Sequence, residues 1–183
     1  MKVKVNRFTN ELYTRYAWAF LRIGLGWIFL WAFLDKLFGL GFGTCRDKTS
    51  GAINYICSSE WIEGGSPTYG FLTNAAKGPF VEYFQAMAGS AIVDWLFMLG
   101  LLGIGLSLLL GIAVRIAATT GMLMMLLMYL AAFMPPANNP ILDDHLIYFI
   151  ALFGIRFADA GITLGFGRQW ARMPFICRNP ILH

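Results

Sequence analysis

The residues with chemical potential gather at the ends of apolar segments. Asp35 and Lys36 close one such segment, Asp94 and Trp95 open a second, and Asp143, Asp144 and His145 open another. Carboxylates, an amine and an imidazole at the ends of packed helices can line a site for a polar substrate or the head of a quinone. An imidazole exchanges protons near neutral pH, which quinone chemistry requires. His145 is therefore read as a proton-transfer group and Lys36 as a contact for an anion or headgroup. Asp94 and Asp143 are read as orienting groups, and Trp61 and Trp95 as walls. Asp35, Asn139, Asp144 and Tyr148 complete the candidate lining. A plainer reading stands beside this one. Asn139–Pro140 fits an N-cap followed by proline at the first helical position. Asp143 and Asp144 would then answer the positive end of the helix dipole, and His145 would be an interfacial hydrogen-bonding residue.

At about 100° per residue, His145, Tyr148, Arg156 and Asp159 share one stripe of a helix, and a polar stripe should face the interior of a bundle rather than lipid. Arg22, Arg115, Arg156 and Asp159 form a second polar cluster at the opposite ends of the segments. Three cations to one acid implies either side chains reaching out to the interface, the better reading for Arg115, or a completing anion. Pairing of Arg22 or Arg156 with Asp159 is expected, in a role of architecture rather than catalysis. The Arg-Ile pair at 22–23 recurs at 115–116, a match at the level of chance.

Cys45 and Cys57 share one loop and suit a disulfide in an oxidising compartment. A structural staple is one reading; a redox pair passing electrons from a sulfur substrate to quinone is the other. Cys177 is expected to stay unpaired. The two histidines, one of them the last residue, leave no pair of facing haem ligands, and there is no Cys-x-x-Cys and no Gly-rich nucleotide loop. No bound haem, metal or nucleotide is expected; redox chemistry would use a diffusible membrane quinone or a partner's cofactor.

The elements that must position these residues are membrane helices. Of 183 residues, 58% are hydrophobic and 13% charged, against about 25% charged in soluble domains, and the mean hydropathy is +0.62. Four apolar blocks are each close to the ~20 residues a crossing needs: about 16–40, 92–112, 115–134 and 141–160. The expectation is an all-α integral membrane four-helix bundle, one domain over 1–183. A long extracytoplasmic loop at 41–90 caps it, and a cytoplasmic tail follows at 161–183. Phe80, Val81, Phe84, Met87 and Ala88 share a face and mark an interfacial helix within the cap. Lys2, Lys4, Arg7, Arg15, Arg115, Arg168, Arg172 and Arg178 fall on one side, which the positive-inside bias makes cytoplasmic. Both termini are then cytoplasmic, in a multi-pass plasma-membrane protein. The net charge of +4 needs no nucleic-acid partner, since no basic face forms. The first block contains Arg22 and is too long for a cleaved signal.

Leu21-Arg22-Ile23-Gly24 running into an aromatic span that ends Asp35-Lys36 carries a family likeness. So do Gly65-Ser66-Pro67-Thr68 with Gly70-Phe71-Leu72, the Gly-rich second block through Gly111 and Arg115, and Asn138-Asn139-Pro140 to His145. On these the chain resembles the DoxX/DoxD family of four-span membrane proteins, over most of its length and with the DoxD branch in particular. The resemblance implies the large subunit of a thiosulfate:quinone oxidoreductase, which joins two thiosulfates into tetrathionate on the outer side and reduces quinone. It also implies a smaller second subunit, DoxA, or a larger membrane complex as partner. Lys36, Arg46 and Lys48 would attract a dianion, while the surplus of outer carboxylates opposes one. The alternative is a non-catalytic accessory subunit of a respiratory or membrane complex, with Gly100, Gly103 and Gly105 as a close-contact surface. A solute transporter is a third reading, weakened because no block is broken in mid-membrane.

Overall fold

Helix formation follows the apolar blocks in the computed structural model, which describes residues 7–46, 50–53, 57, 60–133 and 140–178. α1 (Arg7–Phe38) is followed by a single 3-10 turn (Trp61–Glu63) and by the short α2 (Tyr69–Asn74) and α3 (Val81–Ala86). Then come α4 (Ala91–Leu110), α5 (Val114–Ala131), α6 (Asp144–Phe157), α7 (Gly167–Ala171) and α8 (Pro174–Cys177). The described residues contain no strand, only isolated bridges such as Lys77 to Ala132.

α1, α4 and α5 are long and apolar enough to cross a membrane. Phe20, Trp27 and Ile28 on α1, Leu96 and Leu99 on α4, and Leu123 and Leu127 on α5 are exposed. A soluble monomer rarely exposes contiguous apolar surface on this scale; the chain is a membrane protein whose outward faces suit lipid. α6 is shorter than the sequence suggests. Its 14 residues reach about 21 Å, against ~30 Å of hydrocarbon. The start moves inward because Asp143, whose side chain accepts from Leu146 N, is the N-cap. The end moves inward because Asp159 takes a left-handed conformation (φ 46°) after Phe157 and Ala158.

α1 packs on α4, α4 on α5, α5 on α6, and α6 returns to α1. Lipid tails give helices little hydrophobic reason to associate, so close packing of small residues has to supply it. A Cβ on Gly26 would lie 2.8 Å from the backbone N of Leu109, and one on Gly105 would lie 2.7 Å from the backbone N of Leu30. The two glycines thus seat α1 and α4 against each other reciprocally. Gly154 does the same on α6, where Trp18 of α1 fills the place of a side chain. Met98, Leu108, Leu152 and Ile155 sit fully buried at the centre.

The segment between α1 and α4 spans one end of this assembly. It begins at the end of α1, and Lys77 N reaches Ala131 O at the end of α5 (2.8 Å). A short helix, α3, lies within the stretch where an interfacial helix is expected, with Val81 and Phe84 half-buried and Phe80 and Met87 exposed beyond its ends.

Candidate functional site

Asp35 ends the apolar run of α1 and is buried. Its Oδ1 accepts from Phe42 N (2.9 Å) and its Oδ2 from Gly43 N (2.8 Å) and Thr44 N (2.9 Å). The carboxylate therefore folds the chain leaving α1 back over the helix end. Cys45, next in line, is disulfide-bonded to Cys57 with a Cα–Cα distance of 5.6 Å. The loop is thus fixed twice, once by a carboxylate and once by a covalent bridge.

Asp94 plays a matching part in the first turn of α4. Buried, its Oδ1 accepts from Ser66 Oγ (2.9 Å), Thr68 Oγ1 (2.6 Å) and Thr68 N (3.2 Å). This explains the Gly65-Ser66-Pro67-Thr68 stretch: its two hydroxyls and one amide dock the loop onto α4. Trp61 and Trp95 meet edge to face with centroids 4.6 Å apart, so the expected walls are one continuous aromatic pair. Lys36, half-buried, lies over the Phe97 ring at 5.9 Å, and no ion pair to it is formed among the described residues. Its neighbour Asp35 is already spent on backbone amides.

At the start of α6, Asp143 divides its oxygens. Oδ1 accepts from Leu146 N (2.9 Å) and Oδ2 lies 2.6 Å from His145 Nδ1. Against an ionised carboxylate, Nδ1 carries the proton and Nε2 remains for exchange. Partial burial works to raise the Asp143 pKa; the hydrogen bonds from His145 and Leu146 N, with charge on His145, outweigh it and hold the group below the ordinary carboxylate value. The N-cap expected at Asn139 is thus taken by Asp143, and Asn139 itself lies outside the described residues. Asp144 is exposed, and Tyr148 packs half-buried against the core.

The cluster at the opposite end separates into two. Arg22 is fully buried and makes no pair with Asp159. Its guanidinium donates to the carbonyls of Ala160 (3.1 Å), Leu108, Leu109 (3.1 Å), Leu164 (2.8 Å) and Thr163 (3.4 Å). These are the carbonyls that the end of α4 and the turn after α6 leave without helical partners, and a cation suits the negative end of a helix. Asp159 instead pairs with Arg115 at 3.5 Å, and both side chains are largely exposed. Arg156 donates to Arg115 O (3.2 Å) and to Thr119 Oγ1. Arg115, Arg156, Asp159 and Trp170 line a cavity of about 80 Å³, room for a few water molecules and too small for a quinone. Arg22 and Arg115 are not equivalent, so the repeated Arg-Ile pair marks no structural repeat.

The structure brings Asp35, Lys36, Asp94, Trp61, Trp95, Asp143 and His145 to one end of the helices. It does not join them into one hydrogen-bonded set: among the described residues, the Asp143–His145 pair makes no hydrogen bond or ion pair to Lys36 or Asp94. Glu60 is absent from the sequence candidates, yet it is 2% exposed and its Oε2 has no hydrogen-bond partner among the described residues. The signal was its place three residues after Cys57. No group of three metal-ligating side chains occurs among the described residues. Comparison with protein-family models, with curated proteins and with solved structures found no match.

Proposed function

We propose that this chain is a four-crossing plasma-membrane protein with both termini cytoplasmic. In this reading it is the membrane subunit of a sulfur-compound:quinone oxidoreductase, with thiosulfate as the donor suggested by the DoxD resemblance. The observation that carries the reading is the Asp143–His145 pair, 2.6 Å apart and half-buried, at the same end as a disulfide-stapled loop. His145 hands protons to the reduced quinone through Nε2, and Asp143 fixes the tautomer. Lys36, a cation with no ion pair among the described residues, contacts the anion or the quinone head. Two of the carboxylates that oppose an anion, Asp35 and Asp94, are buried and each bonded by three donors, which weakens that objection.

α6 makes the fourth crossing in this reading. Ile147, Ile150, Phe153 and Phe157 are exposed along it, as a lipid face requires. Thinning of the bilayer around a short helix costs only fractions of a kcal/mol per Å. The test is thiosulfate-dependent reduction of a quinone analogue by protein purified gently with its companions, the DoxA-like subunit included. Quinol formation well above a donor-free control is expected; none from folded protein overturns the proposal.

One observation favours a second reading, an accessory subunit. A Cβ on Gly24 of α1 or Gly103 of α4 would meet nothing within 4 Å, so both leave room for another chain's helix. The other two glycines of the expected contact surface are used internally, Gly105 against Leu30 and Gly100 against Met124. Donor-dependent quinol formation separates the two readings.

A further inference from the structure

Among the described residues, three carboxylates are buried at the loop end of the molecule, and two have evident structural roles. Asp35 and Asp94 each accept three hydrogen bonds. Glu60 is equally buried, and its Oε2 accepts none among the described residues. A buried acceptor left without a donor is destabilising, so a purely structural role leaves this oxygen unexplained. Its position supplies an explanation. Gly39, at φ +62°, has no side chain, and a Cβ placed there would lie 2.4 Å from Glu60 Oε2 and 2.8 Å from Cys45 Sγ. Oxygen and sulfur therefore both lie close to one bare glycine, about 5 Å apart at most, within the reach of a single bridging water. Gly39 is what lets the carboxyl group approach the disulfide.

We propose that Glu60 is the proton-transfer group of a redox-active Cys45–Cys57 pair. The inference rests on the oxidoreductase reading above and adds the residue that moves the proton at sulfur. A sulfur nucleophile, a thiolate or the terminal sulfur of thiosulfate, attacks Cys57 Sγ. The Cys45–Cys57 bond breaks, the electron pair goes to Cys45 Sγ, and Glu60, carrying a proton, delivers it to that sulfur. A better-stabilised leaving sulfur departs faster, which is why a proton donor belongs beside Cys45. A second substrate sulfur attacks the first, forming the oxidised S–S product and returning an electron pair to Cys57, which takes a proton from water. Two electrons then pass from the dithiol to quinone, which takes the Cys57 proton and one from water to become quinol. The disulfide re-forms, and Glu60 recovers the Cys45 proton. In sum, two substrate sulfurs are oxidised to one S–S bond and one quinone is reduced to quinol.

The test uses purified full-length protein reduced with excess dithiothreitol and then freed of it. Decylubiquinone is added, and Cys45 and Cys57 are followed by peptide-resolved maleimide labelling across about pH 5 to 9. Wild-type protein re-forms the disulfide. Glu60→Gln does so about a hundredfold more slowly, the lower end of the range for general acid–base groups, and loses one ionisation from its pH profile; Glu60→Asp restores part of both. Equal rates and profiles in wild type and Glu60→Gln overturn the proposal, as does a wild-type dithiol that quinone leaves reduced. Should Glu60→Gln fail to fold, iodoacetamide alkylation of Cys45 in reduced Cys57→Ala protein decides. A profile with two linked ionisations supports the proposal, and that of one isolated thiol overturns it. A dithiol inert to quinone in protein that still reduces quinone with thiosulfate removes this inference and leaves the function standing. A Glu60-dependent re-oxidation without any thiosulfate reaction does the reverse.

Discussion

Asp143 serves two partners with two oxygens, and its variants separate them. Asp143→Ala removes an N-cap, worth about 1 kcal/mol of helix stability, and also releases the His145 ring. Because the folded protein holds the Asp143 carboxyl below its ordinary value, its contribution to stability is fully present above the unfolded value near ~3.9. That contribution is lost as pH falls through the lower folded value. Thermal melts of detergent-solubilised wild type and Asp143→Asn should therefore differ at neutral pH and converge in acid; a constant difference would contradict the assignment. His145→Ala should lower donor-dependent quinol formation by about a hundredfold, the low end for loss of a general acid–base group, and lower the melting temperature less than Asp143→Ala does, because the cap to Leu146 N stays. Unchanged turnover would remove the proposed role. The nearness of His145 to Asp143 was legible because two residues of spacing at a helix start leave few arrangements. The cap was not, since Asn139 and Asp143 both have cap chemistry. Glu60 had only its place near Cys57 to mark it, since its close approach to the bare glycine at position 39 is set by the fold.

Among the elements, α1 and α4 are set by Gly26 and Gly105, and the opposite end is locked by Arg22. Gly105→Leu drives a side chain into the Leu30 backbone and should cost about 1–3 kcal/mol. Gly103→Leu, where nothing lies within 4 Å, should cost far less; the contrast is read from unfolding in detergent titrations. Arg22→Ala strips five carbonyls of their donor and should cost on the order of 3–5 kcal/mol, the scale for removing a buried charged partner. Lysine at this position should recover only part, since it cannot match the planar fork. The sequence showed that an arginine inside an apolar run must face protein. It did not show which partner waits, because backbone carbonyls leave no mark in composition. Removing the Cys45–Cys57 bridge should lower stability by about 3 kcal/mol in the chain-entropy account.

At the scale of the whole molecule, the length of α6 is where sequence and structure part. The apolar run of 141–160 promised a full crossing, while the cap at Asp143 and the left-handed turn at Asp159 confine the helix to 14 residues. Apolar composition reports solvent, and helix length is decided by the caps. The proposed topology puts Cys177, which is exposed, on the cytoplasmic side, opposite the Cys45–Cys57 loop. A membrane-impermeant maleimide should label Cys177 in inside-out vesicles and spare it in intact cells. Labelling from outside would mean that α6 turns back, leaving three crossings.

The most direct test of the central claim is quinone reduction by the gently purified protein, with thiosulfate as sole donor and tetrathionate measured alongside. The account predicts quinol and tetrathionate in equal amounts. Folded, disulfide-bonded protein that forms neither, with its companion chains retained, would contradict it.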